Sequence, residues 1–308
     1  MSVIVRVDNL CKEFSNGFKA VDNLSFTVNA GEVYGFLGQN GAGKSTTIRM
    51  LLTLITPSSG QLELFGMNLA AHRKEILRRV GAIVERPDVY KYLTALENLE
   101  IFAQMSGMRP KQKELMAQLE MVGLAERAAS KVKTYSQGMK QRLGIAIALI
   151  HDPELIILDE PTNGLDPQGI ADVRKLVWHL SRDRHKTLLV SSHLLSEMEL
   201  IADSMLIIDR GRKIVEGKTR ELLSRSQVEI QTDDRQKAVD FLIHSNWKAP
   251  VSSGNGAILL DIDTADVPQL TRQLVEAGIN IYSLRRKHSL EDYFLEMTKN
   301  HHGTLAAN

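Results

Sequence analysis

The feature that most constrains this chain is a glycine-rich segment, Gly38–Ser45, that directly follows the continuous apolar run Val33–Leu37. The segment reads Gly-Gln-Asn-Gly-Ala-Gly-Lys-Ser and matches the pattern G-x-x-x-x-G-K-[ST]. A short uninterrupted apolar run is typical of a strand buried on both faces. The residues from Lys44 to about Leu54 are predicted to form a helix, so strand, turn and helix follow in the order that a phosphate-binding loop requires.

The chemistry of this loop depends on backbone N–H groups. Glycines allow the chain to curl so that successive N–H groups point inward at phosphate oxygens, and the positive end of the helix dipole adds to the attraction. Lys44 is predicted to reach the β- and γ-phosphates of a nucleotide, and Ser45 to give an oxygen ligand to Mg²⁺. The residues predicted to bind the nucleotide here are Gly38, Gln39, Asn40, Gly41, Ala42, Gly43, Lys44, Ser45 and Thr46.

A pair of acidic residues supplies the second half of such a site. Asp159 and Glu160 directly follow the apolar run Leu155–Leu158, which predicts another buried strand. Carboxylates at the end of such a strand face the ligand crevice of an α/β protein. We therefore predict that Asp159 holds Mg²⁺, directly or through water, and that Glu160 polarises the attacking water as a general base.

The order of the predicted elements indicates an α/β core. A helix is predicted at about 170–183, between Leu155–Leu158 and the apolar run Thr187–Val190. Strand, helix and strand in this order imply parallel pairing. The other elements predicted in this part of the chain are strands Ile4–Val7, Ser25–Val28, Ser204–Asp209 and Lys213–Val215 and a helical region at about 94–150.

From about residue 226 the pattern changes to short strands alternating with helices. This change predicts a small α+β module at 226–300, after a first domain at 1–222. The module's predicted elements are strands Val228–Gln231, Ala257–Ile262 and Ile279–Leu284 and helices Gln236–Ser245, Val267–Ala277 and Leu290–Thr298. Ser289 and Asp292 have the spacing of a capping box for the last helix.

Composition excludes several classes of function. The net charge is +1, and residues 226–300 carry eight Lys and Arg against eleven Asp and Glu, so no nucleic-acid partner is expected. The single cysteine, Cys11, excludes an internal disulfide framework. No apolar run approaches the roughly 20 residues that span a bilayer, and the alternating start predicts a strand rather than a signal peptide. We therefore expect a cytoplasmic protein that needs a partner for any role at a membrane.

A third motif separates this chain from other nucleotide-binding proteins. The segment Tyr135–Arg142 reads Tyr-Ser-Gln-Gly-Met-Lys-Gln-Arg and resembles the signature sequence of ATP-binding-cassette proteins, usually written L-S-G-G-Q. It keeps Ser136 and Gly138 but lacks the first glycine and the glutamine. Ser136 is predicted to cap a helix that extends to Leu149. Its hydroxyl and the Gly138 N–H can then meet a γ-phosphate at the positive helix end.

The resemblance covers about residues 3–220 and implies more than the motif itself. It implies ATP and Mg²⁺ as cofactors and an ATP-dependent head-to-tail homodimer, in which one subunit's signature faces the other's bound nucleotide. The implied fold is a P-loop core of ATP-binding-cassette type, with an antiparallel β subdomain and a helical subdomain. Phe14 resembles the aromatic residue that stacks on adenine, Asp166 lies in a segment that resembles the loop crossing the dimer interface, and His193 resembles the histidine that senses the γ-phosphate.

One substitution points to a subfamily. Most relatives have a glutamine at the position of Glu85, where it links Mg²⁺ and water to the transmembrane partner, so the resemblance implies a catalytic and metal-binding role for this residue. Glu85, Pro87, Tyr90 and the residues of the signature segment are similar to those of the ATPases of bacitracin-resistance and lantibiotic-immunity exporters. The ending Ser289–Phe294 resembles their C-terminal module. This implies a peripheral subunit on the cytoplasmic face of the membrane that docks on a polytopic permease and exports an antimicrobial peptide or another amphiphile.

Two other functions remain open at this stage. A soluble cassette protein of DNA repair would insert a very long coiled coil between Ser45 and Asp159, and one of translation would carry two cassettes; this sequence has neither feature. An importer ATPase would usually keep glutamine at position 85. Co-purification with a polytopic membrane protein would separate the exporter from these alternatives.

Overall fold

The computed structural model describes residues 2–224, 227–245, 247, 251–252, 257–262 and 264–287. The chain divides into two compact units, Met1–Glu216 and Gly217–Asn308. The domain boundary predicted from sequence lies a few residues later, at 222–226. The predicted helix Leu290–Thr298, its capping box and the segment Ser289–Phe294 fall outside the described residues.

The first unit contains two sheets. Their strands are β1 (Val3–Glu13), β2 (Lys19–Asn29), β3 (Val33–Leu37), β4 (Ser59–Leu64), β5 (Met67–Asn68), β6 (Val80–Ile83), β7 (Leu155–Leu158), β8 (Thr187–Ser192), β9 (Ser204–Asp209) and β10 (Arg212–Lys218). The larger sheet has the strand order β10-β9-β3-β8-β7-β6 and the smaller has the order β2-β1-β4-β5. The helices that begin before residue 225 are α1 (Lys44–Leu51), α2 (Arg73–Leu77), α3 (Ala95–Met105), α4 (Gln112–Met121), α5 (Gln137–Ala148), α6 (Pro167–Arg182), α7 (Leu195–Met198) and α8 (Thr219–Ser224).

The larger sheet confirms the predicted parallel pairing. Strand β8 pairs in parallel with both β3 and β7, and β7 pairs in parallel with β6. The register places Leu37 opposite Ser192 and Leu158 opposite both Val190 and Ile83. The carboxyl ends of four strands therefore meet at one edge, which is where an α/β sheet places its ligand crevice.

The two sheets share one hydrophobic core. Phe26 on β2 stacks against Tyr34 and Phe36 on β3, with ring centroids 5.8 Å and 5.6 Å apart. All three rings are buried. The hydroxyl of Tyr34 donates a hydrogen bond of 2.7 Å to Glu216 Oε1 on β10. Burial, and then the Glu216 carboxylate, raise the pKa of Tyr34 well above its usual range.

Two helices end earlier than their hydrophobic pattern predicts. Helix α1 ends at Leu51 rather than about Leu54, because Thr53 adopts a positive φ of 57° and Leu54 N–H donates back to Arg49 C=O over 2.8 Å. The helical region at 94–150 is divided into α3, α4 and α5, since Gly107 and Gly123 have φ values of 79° and 67° after α3 and α4. A left-handed residue is the usual way to terminate a helix.

Asn98 ties the loop before α3 to that helix. Thr94 and Glu97 form a capping box at the start of α3. Asn98 is fully buried, and its side chain bonds to the N–H of Tyr90 over 2.8 Å and to the C=O of Thr94 over 2.8 Å. Because buried amide groups are costly to leave unpaired, these bonds fix the end of the segment that begins after β6 at Val84.

The second unit has its own small core. Its described elements are β11 (Gln227–Thr232), α9 (Arg235–His244), β12 (Val251–Ser252), β13 (Ile258–Asp261), α10 (Val267–Glu276) and β14 (Ile281–Lys287). The strands pair in the order β12-β13-β11-β14, and each neighbouring pair is antiparallel. This element order with this strand order is a ferredoxin-like arrangement. One buried cluster joins its helices to its sheet and includes Leu242 of α9, Leu270 of α10, Val228 and Ile230 of β11 and Leu260 of β13.

The helices of the described residues do not reach membrane-spanning dimensions. None combines the necessary length with sufficient apolar character. The longest, α6, has 16 residues.

Candidate nucleotide site

The glycine-rich loop between β3 and α1 is shaped by two tight approaches. A Cβ atom on Gly43 would lie 2.5 Å from the backbone oxygen of Ala20, and one on Gly38 would lie 2.6 Å from the backbone oxygen of Ile208. Gly43 also has a φ of 105°, and Gly41 a φ of 82°. These positions require glycine for steric reasons, so the loop is pinned between β2 and β9 in a fixed shape.

Lys44, the basic residue of this loop, is buried. Its side chain is 5% exposed, and Nζ donates to the backbone oxygen of Gly38 over 2.6 Å and to that of Gln39 over 3.3 Å. Nζ also lies 3.1 Å from Glu160 Oε1. Of the residues predicted to bind nucleotide here, Gly38–Gly43 form the turn, and Lys44, Ser45 and Thr46 lie in the first turn of α1.

Asp159 has one oxygen bonded and the other free. The residue is 1% exposed, and Oδ1 accepts a hydrogen bond from the Ser191 hydroxyl. Oδ2 is buried and makes no hydrogen bond to any part of the chain that the structure describes. A buried carboxylate oxygen without a partner is costly unless a cation balances it. An oxygen of this kind beside Ser45 fits a hard divalent cation such as Mg²⁺, which takes oxygen ligands.

Glu160 is held by groups on helix α1, on strand β8 and in the loop that follows β8. Its side chain is 15% exposed; Oε1 lies near Lys44 as described, and Oε2 lies 2.7 Å from His193 Nδ1. Its N–H donates to Ser191 Oγ over 2.9 Å. Its φ of 49° is uncommon for a residue with a side chain. The structure thus brings together Lys44, the consecutive pair Asp159 and Glu160, and His193, which come from three separate segments of the sequence.

A cleft of about 590 Å³ opens beside these groups. Its lining includes Ser45, Asp159, Glu160, Glu85, Gln137 and Gln141. Gln141 is 4% exposed, and its Nε2 makes no hydrogen bond to the described residues. The cleft is large enough to admit water and small polar groups to the carboxylates.

Glu85 occupies the rim of this cleft. It has a positive φ of 63°, and its carboxylate pairs with the guanidinium of Arg49 on α1. The side chain of Glu85 is 62% exposed. Its observed partner is therefore a cation on the helix that follows the P-loop, and its role toward a metal ion stays a prediction.

The signature segment has the predicted cap. Ser136 is the N-cap of α5, and its Oγ accepts a hydrogen bond of 3.2 Å from Met139 N–H. A Cβ on Gly138 would meet only Gly169 Cα at 3.5 Å, an ordinary contact. Packing within this chain therefore does not explain the glycine at 138, which is consistent with close approach by a group from outside.

For two other predicted residues, Asp166 and Phe14, the structure shows contacts that were not predicted from the sequence. Asp166 is the N-cap of α6, where Oδ1 accepts a hydrogen bond of 3.0 Å from Gly169 N–H. Phe14 lies in the turn between β1 and β2, is 39% exposed, and has Lys12 Nζ at 5.3 Å from its ring centroid. Strand β2 carries Ala20, which contacts the P-loop glycine Gly43. Adenine stacking by Phe14 stays a prediction.

Sequence reasoning missed Ser191 and Arg49. Ser191 and its neighbour Ser192 end an otherwise apolar strand at the same sheet edge as Asp159. Polar residues at the carboxyl end of a parallel strand are a signal that could have identified them. Arg49 carried no signal, because one basic residue on an amphipathic helix is usually a solvated surface residue.

Comparison with known proteins gives one family throughout. The family model described as ABC transporter matches residues 21–163. The bacitracin transport ATP-binding protein of Bacillus licheniformis is 44% identical over 310 residues, covering 96% of this chain and 98% of the relative. The Nod factor export ATP-binding protein I of Ralstonia nicotianae is 35% identical, covering 96% of this chain and 94% of that protein.

Solved structures show the same relationship. The cbiO1 protein of Clostridium perfringens, part of the transporter complex cbiONQ, gives a TM-score of 0.65 at 26% identity and covers 72% of this chain and 91% of that one. An ATP-binding cassette in a dimeric, post-hydrolysis state bound to ADP and phosphate gives a TM-score of 0.64 at 25% identity. That match covers 70% of this chain and 99% of the other.

Proposed function

The chain belongs to the ATP-binding-cassette family of transporter ATPases, and from this premise we propose that it powers the export of a peptide antibiotic or related amphiphile. The predicted fold class and ATPase activity are confirmed by the family and by the solved cassettes. The observation that carries the export proposal is the match to a bacitracin transport ATP-binding protein over 96% of the chain, which includes the second unit. A relative named for Nod factor export matches over the same share.

The site residues divide the chemistry between binding and proton transfer. ATP phosphates enter the P-loop, where Lys44 and the backbone N–H groups bind them. The Lys44–Glu160 ion pair opens at this step, because the lysine then faces the γ-phosphate. Glu160 accepts a proton as water attacks the γ-phosphorus, and the bond to the β–γ bridging oxygen breaks to give ADP and phosphate. His193, hydrogen-bonded to Glu160, keeps that carboxylate in place.

Mg²⁺ is the cofactor that these residues fit. Ser45 and the free Oδ2 of Asp159 would hold it, and Glu85 at the cleft rim would add charge near it. Bound Mg²⁺ supplies charge neutralisation for the phosphates. Each of the residues named has an oxygen ligand of the type that Mg²⁺ prefers.

The active unit that we propose is a head-to-tail homodimer. The N-terminus of α5, with Ser136 at its cap and Gly138 without a side chain, has the features of an anion site. A second copy can place its γ-phosphate there, where N–H groups and the helix dipole favour negative charge. Because two subunits then share each nucleotide, ATP binding closes the dimer and hydrolysis reopens it.

The partner that we propose is a polytopic permease, with this chain on the cytoplasmic face of the membrane. The cleft rim carries Glu85, and the segment that follows exposes Tyr90 and Tyr92 at 50% and 78%. Exposed aromatic residues beside a nucleotide-linked loop are suited to a protein contact. This placement would let docking at the membrane respond to the state of the ATP site.

Bacitracin resistance in cells tests the export function. Co-expression of this chain with its permease in a sensitive bacterium should raise the bacitracin concentration that inhibits growth. The Glu160→Gln variant should abolish the increase at equal protein level. If resistance rises equally with the variant, or if purification never recovers the permease with this chain, export of this class of cargo is wrong. A soluble cassette protein would then be the better interpretation.

Glu85→Gln should reduce transport more than it reduces ATP hydrolysis. The substitution removes the charge that pairs with Arg49, but leaves the P-loop contacts that supply most phosphate binding intact. We expect ATP affinity within a few-fold of wild type, the usual range for an exposed substitution, and a larger loss of peptide resistance. ATP turnover of the purified subunit and resistance of cells carrying the same variant are the paired measurements.

Two variants sharpen the Glu85 experiment. Arg49→Gln breaks the same ion pair from the other side and should give the same imbalance between transport and turnover. Glu120→Gln, on the exposed face of α4, removes a charge elsewhere and should change neither. Equal losses of turnover and resistance in Glu85→Gln would indicate a purely catalytic role, and no loss in either would indicate a tolerated surface substitution.

A further inference from the structure

Ser191 lies at the point where the two acidic residues of the site meet β8. It is the last residue but one of that strand and is fully buried. Strand β8 pairs in parallel with β7, with Val190 opposite Leu158. The residues that follow this pair are Ser191, still on β8, and Asp159, directly after the end of β7, and the serine side chain reaches Asp159.

The hydroxyl of Ser191 is both a hydrogen-bond donor and a hydrogen-bond acceptor. It donates its proton to Asp159 Oδ1 and accepts the N–H of Glu160 over 2.9 Å. A hydroxyl has one proton to donate, and here that proton is committed to the carboxylate while a lone pair is committed to the N–H. Its orientation is consequently fixed by the two residues that it joins.

We propose that Ser191 is a positioning residue for the ATPase reaction, which orients the metal-binding carboxylate of Asp159 and the backbone of the base Glu160 together. This inference rests on the proposed Mg²⁺ site. By occupying Oδ1 it leaves Oδ2, which has no hydrogen-bond partner among the described residues, as the oxygen available to a cation. By accepting the Glu160 N–H it stabilises a backbone with a φ of 49°, a conformation that a residue with a side chain seldom adopts without support.

The two contacts predict that loss of the Ser191 hydroxyl weakens metal binding without weakening nucleotide binding. Both bonds of Ser191 go to the residues after β7, whereas Lys44 is held by the backbone oxygens of Gly38 and Gln39. Loss of the Ser191 hydroxyl should therefore disturb the cation and the base while leaving the phosphate-binding loop intact. A residue with only a structural role would lower stability without this selectivity.

Ser191→Ala is the first variant to measure. We expect metal affinity and kcat each to fall by about 10–100-fold, the range for loss of a group that orients a metal ligand. Metal affinity is measured with Mn²⁺ as the probe, from the electron paramagnetic resonance signal of free Mn²⁺ in solutions of the ADP-saturated protein, corrected for Mn²⁺ bound by ADP alone. ATP affinity in EDTA, from fluorescence titration with a trinitrophenyl analogue, should stay within about twofold because the P-loop contacts remain.

Thr187→Val provides a matched control on the same strand. Thr187 is 3% exposed, and its Oγ1 accepts a hydrogen bond of 2.9 Å from Gly31 N–H at the opposite end of β8. The valine variant loses a buried hydroxyl bond of similar length, and its thermal stability should fall as much as that of Ser191→Ala. Its Mn²⁺ affinity and kcat should match those of the wild type.

Ser191→Cys extends the test if the alanine variant folds poorly. The thiol has a similar shape but is a weaker hydrogen-bond donor, so Mn²⁺ affinity and kcat should fall between those of the wild type and of Ser191→Ala. Wild-type Mn²⁺ affinity and kcat in either serine variant would overturn the role of Ser191. A wild-type protein that binds no Mn²⁺ beyond that held by ADP would instead overturn the proposed metal site itself.

Discussion

Glu160→Gln is expected to lower ATP turnover by about 10²–10⁴-fold, the usual contribution of a general base. The amide has nearly the same size as the carboxylate, but it cannot accept the proton of the attacking water. ATP should still bind, because the phosphate contacts come from Lys44 and the P-loop backbone. The neutral side chain also removes the ion pair that Lys44 makes with Glu160 in this structure, so ATP affinity should be equal to or higher than that of the wild type.

Phosphate release measures the expected loss of ATP turnover, and nucleotide retention measures the expected ATP binding. The purified variant should release phosphate slowly and retain ATP through gel filtration in the presence of Mg²⁺. Glu120→Gln, the exposed substitution on α4, should turn over ATP at the wild-type rate. Turnover of Glu160→Gln close to that of the wild type would place the base at another residue.

Ser136→Arg is expected to prevent ATP-driven dimerisation of the trapped Glu160→Gln protein. The arginine would replace the short cap of α5 by a long side chain at the surface proposed to receive the other subunit's γ-phosphate. Light scattering should report a dimer for Glu160→Gln at saturating Mg-ATP and a monomer for the double variant. ATPase activity of Ser136→Arg alone should fall toward the background, because each shared site would be incomplete.

The destabilisation caused by loss of the helix cap in Ser136→Arg has to be distinguished from its effect on dimerisation. Removing an N-cap typically costs about 0.5–2 kcal/mol, so Ser136→Arg will also be less stable. Thr94→Arg removes the cap of α3 and serves as the control for that effect. It should dimerise with ATP in the Glu160→Gln background. If the Ser136→Arg protein also dimerises, or if Glu160→Gln stays monomeric at high concentration, the proposed shared site is wrong.

The parts of this molecule that were predictable are those where local sequence and fold agree. Gly41 and Gly43 adopt positive φ in a turn that only glycine suits, and Lys44 follows at the start of a helix, so the P-loop was evident from its residues. Leu155–Leu158 was predicted to be a strand because every residue in it is apolar, and that placed Asp159 at a sheet edge. Ser136 was predicted to cap α5 because the spacing to the following residues suits a hydroxyl acceptor.

The parts that were not predictable depend on contacts between distant segments. Ser191 bonds to residues more than thirty positions earlier, and nothing in its neighbours shows which strand lies beside it. The pair of Arg49 with Glu85 likewise exists only because the loop after β6 folds back onto α1. Thr53 ends α1 through a backbone angle, although the apolar spacing continues to about Leu54.

The hydrogen bond from the buried Tyr34 to the partly exposed Glu216 sets a limit on how far the chain can be shortened from its C-terminal side. Glu216 is the last residue of the first unit, whereas Tyr34 lies on the strand that leads directly into the P-loop. A fragment cut after β9 would leave a phenolic hydroxyl inside the core with no acceptor, and a buried polar group without a partner carries its full desolvation cost. A fragment that contains only the catalytic unit should therefore end just beyond Glu216. An earlier truncation would destabilise β3, the strand that leads directly into the P-loop.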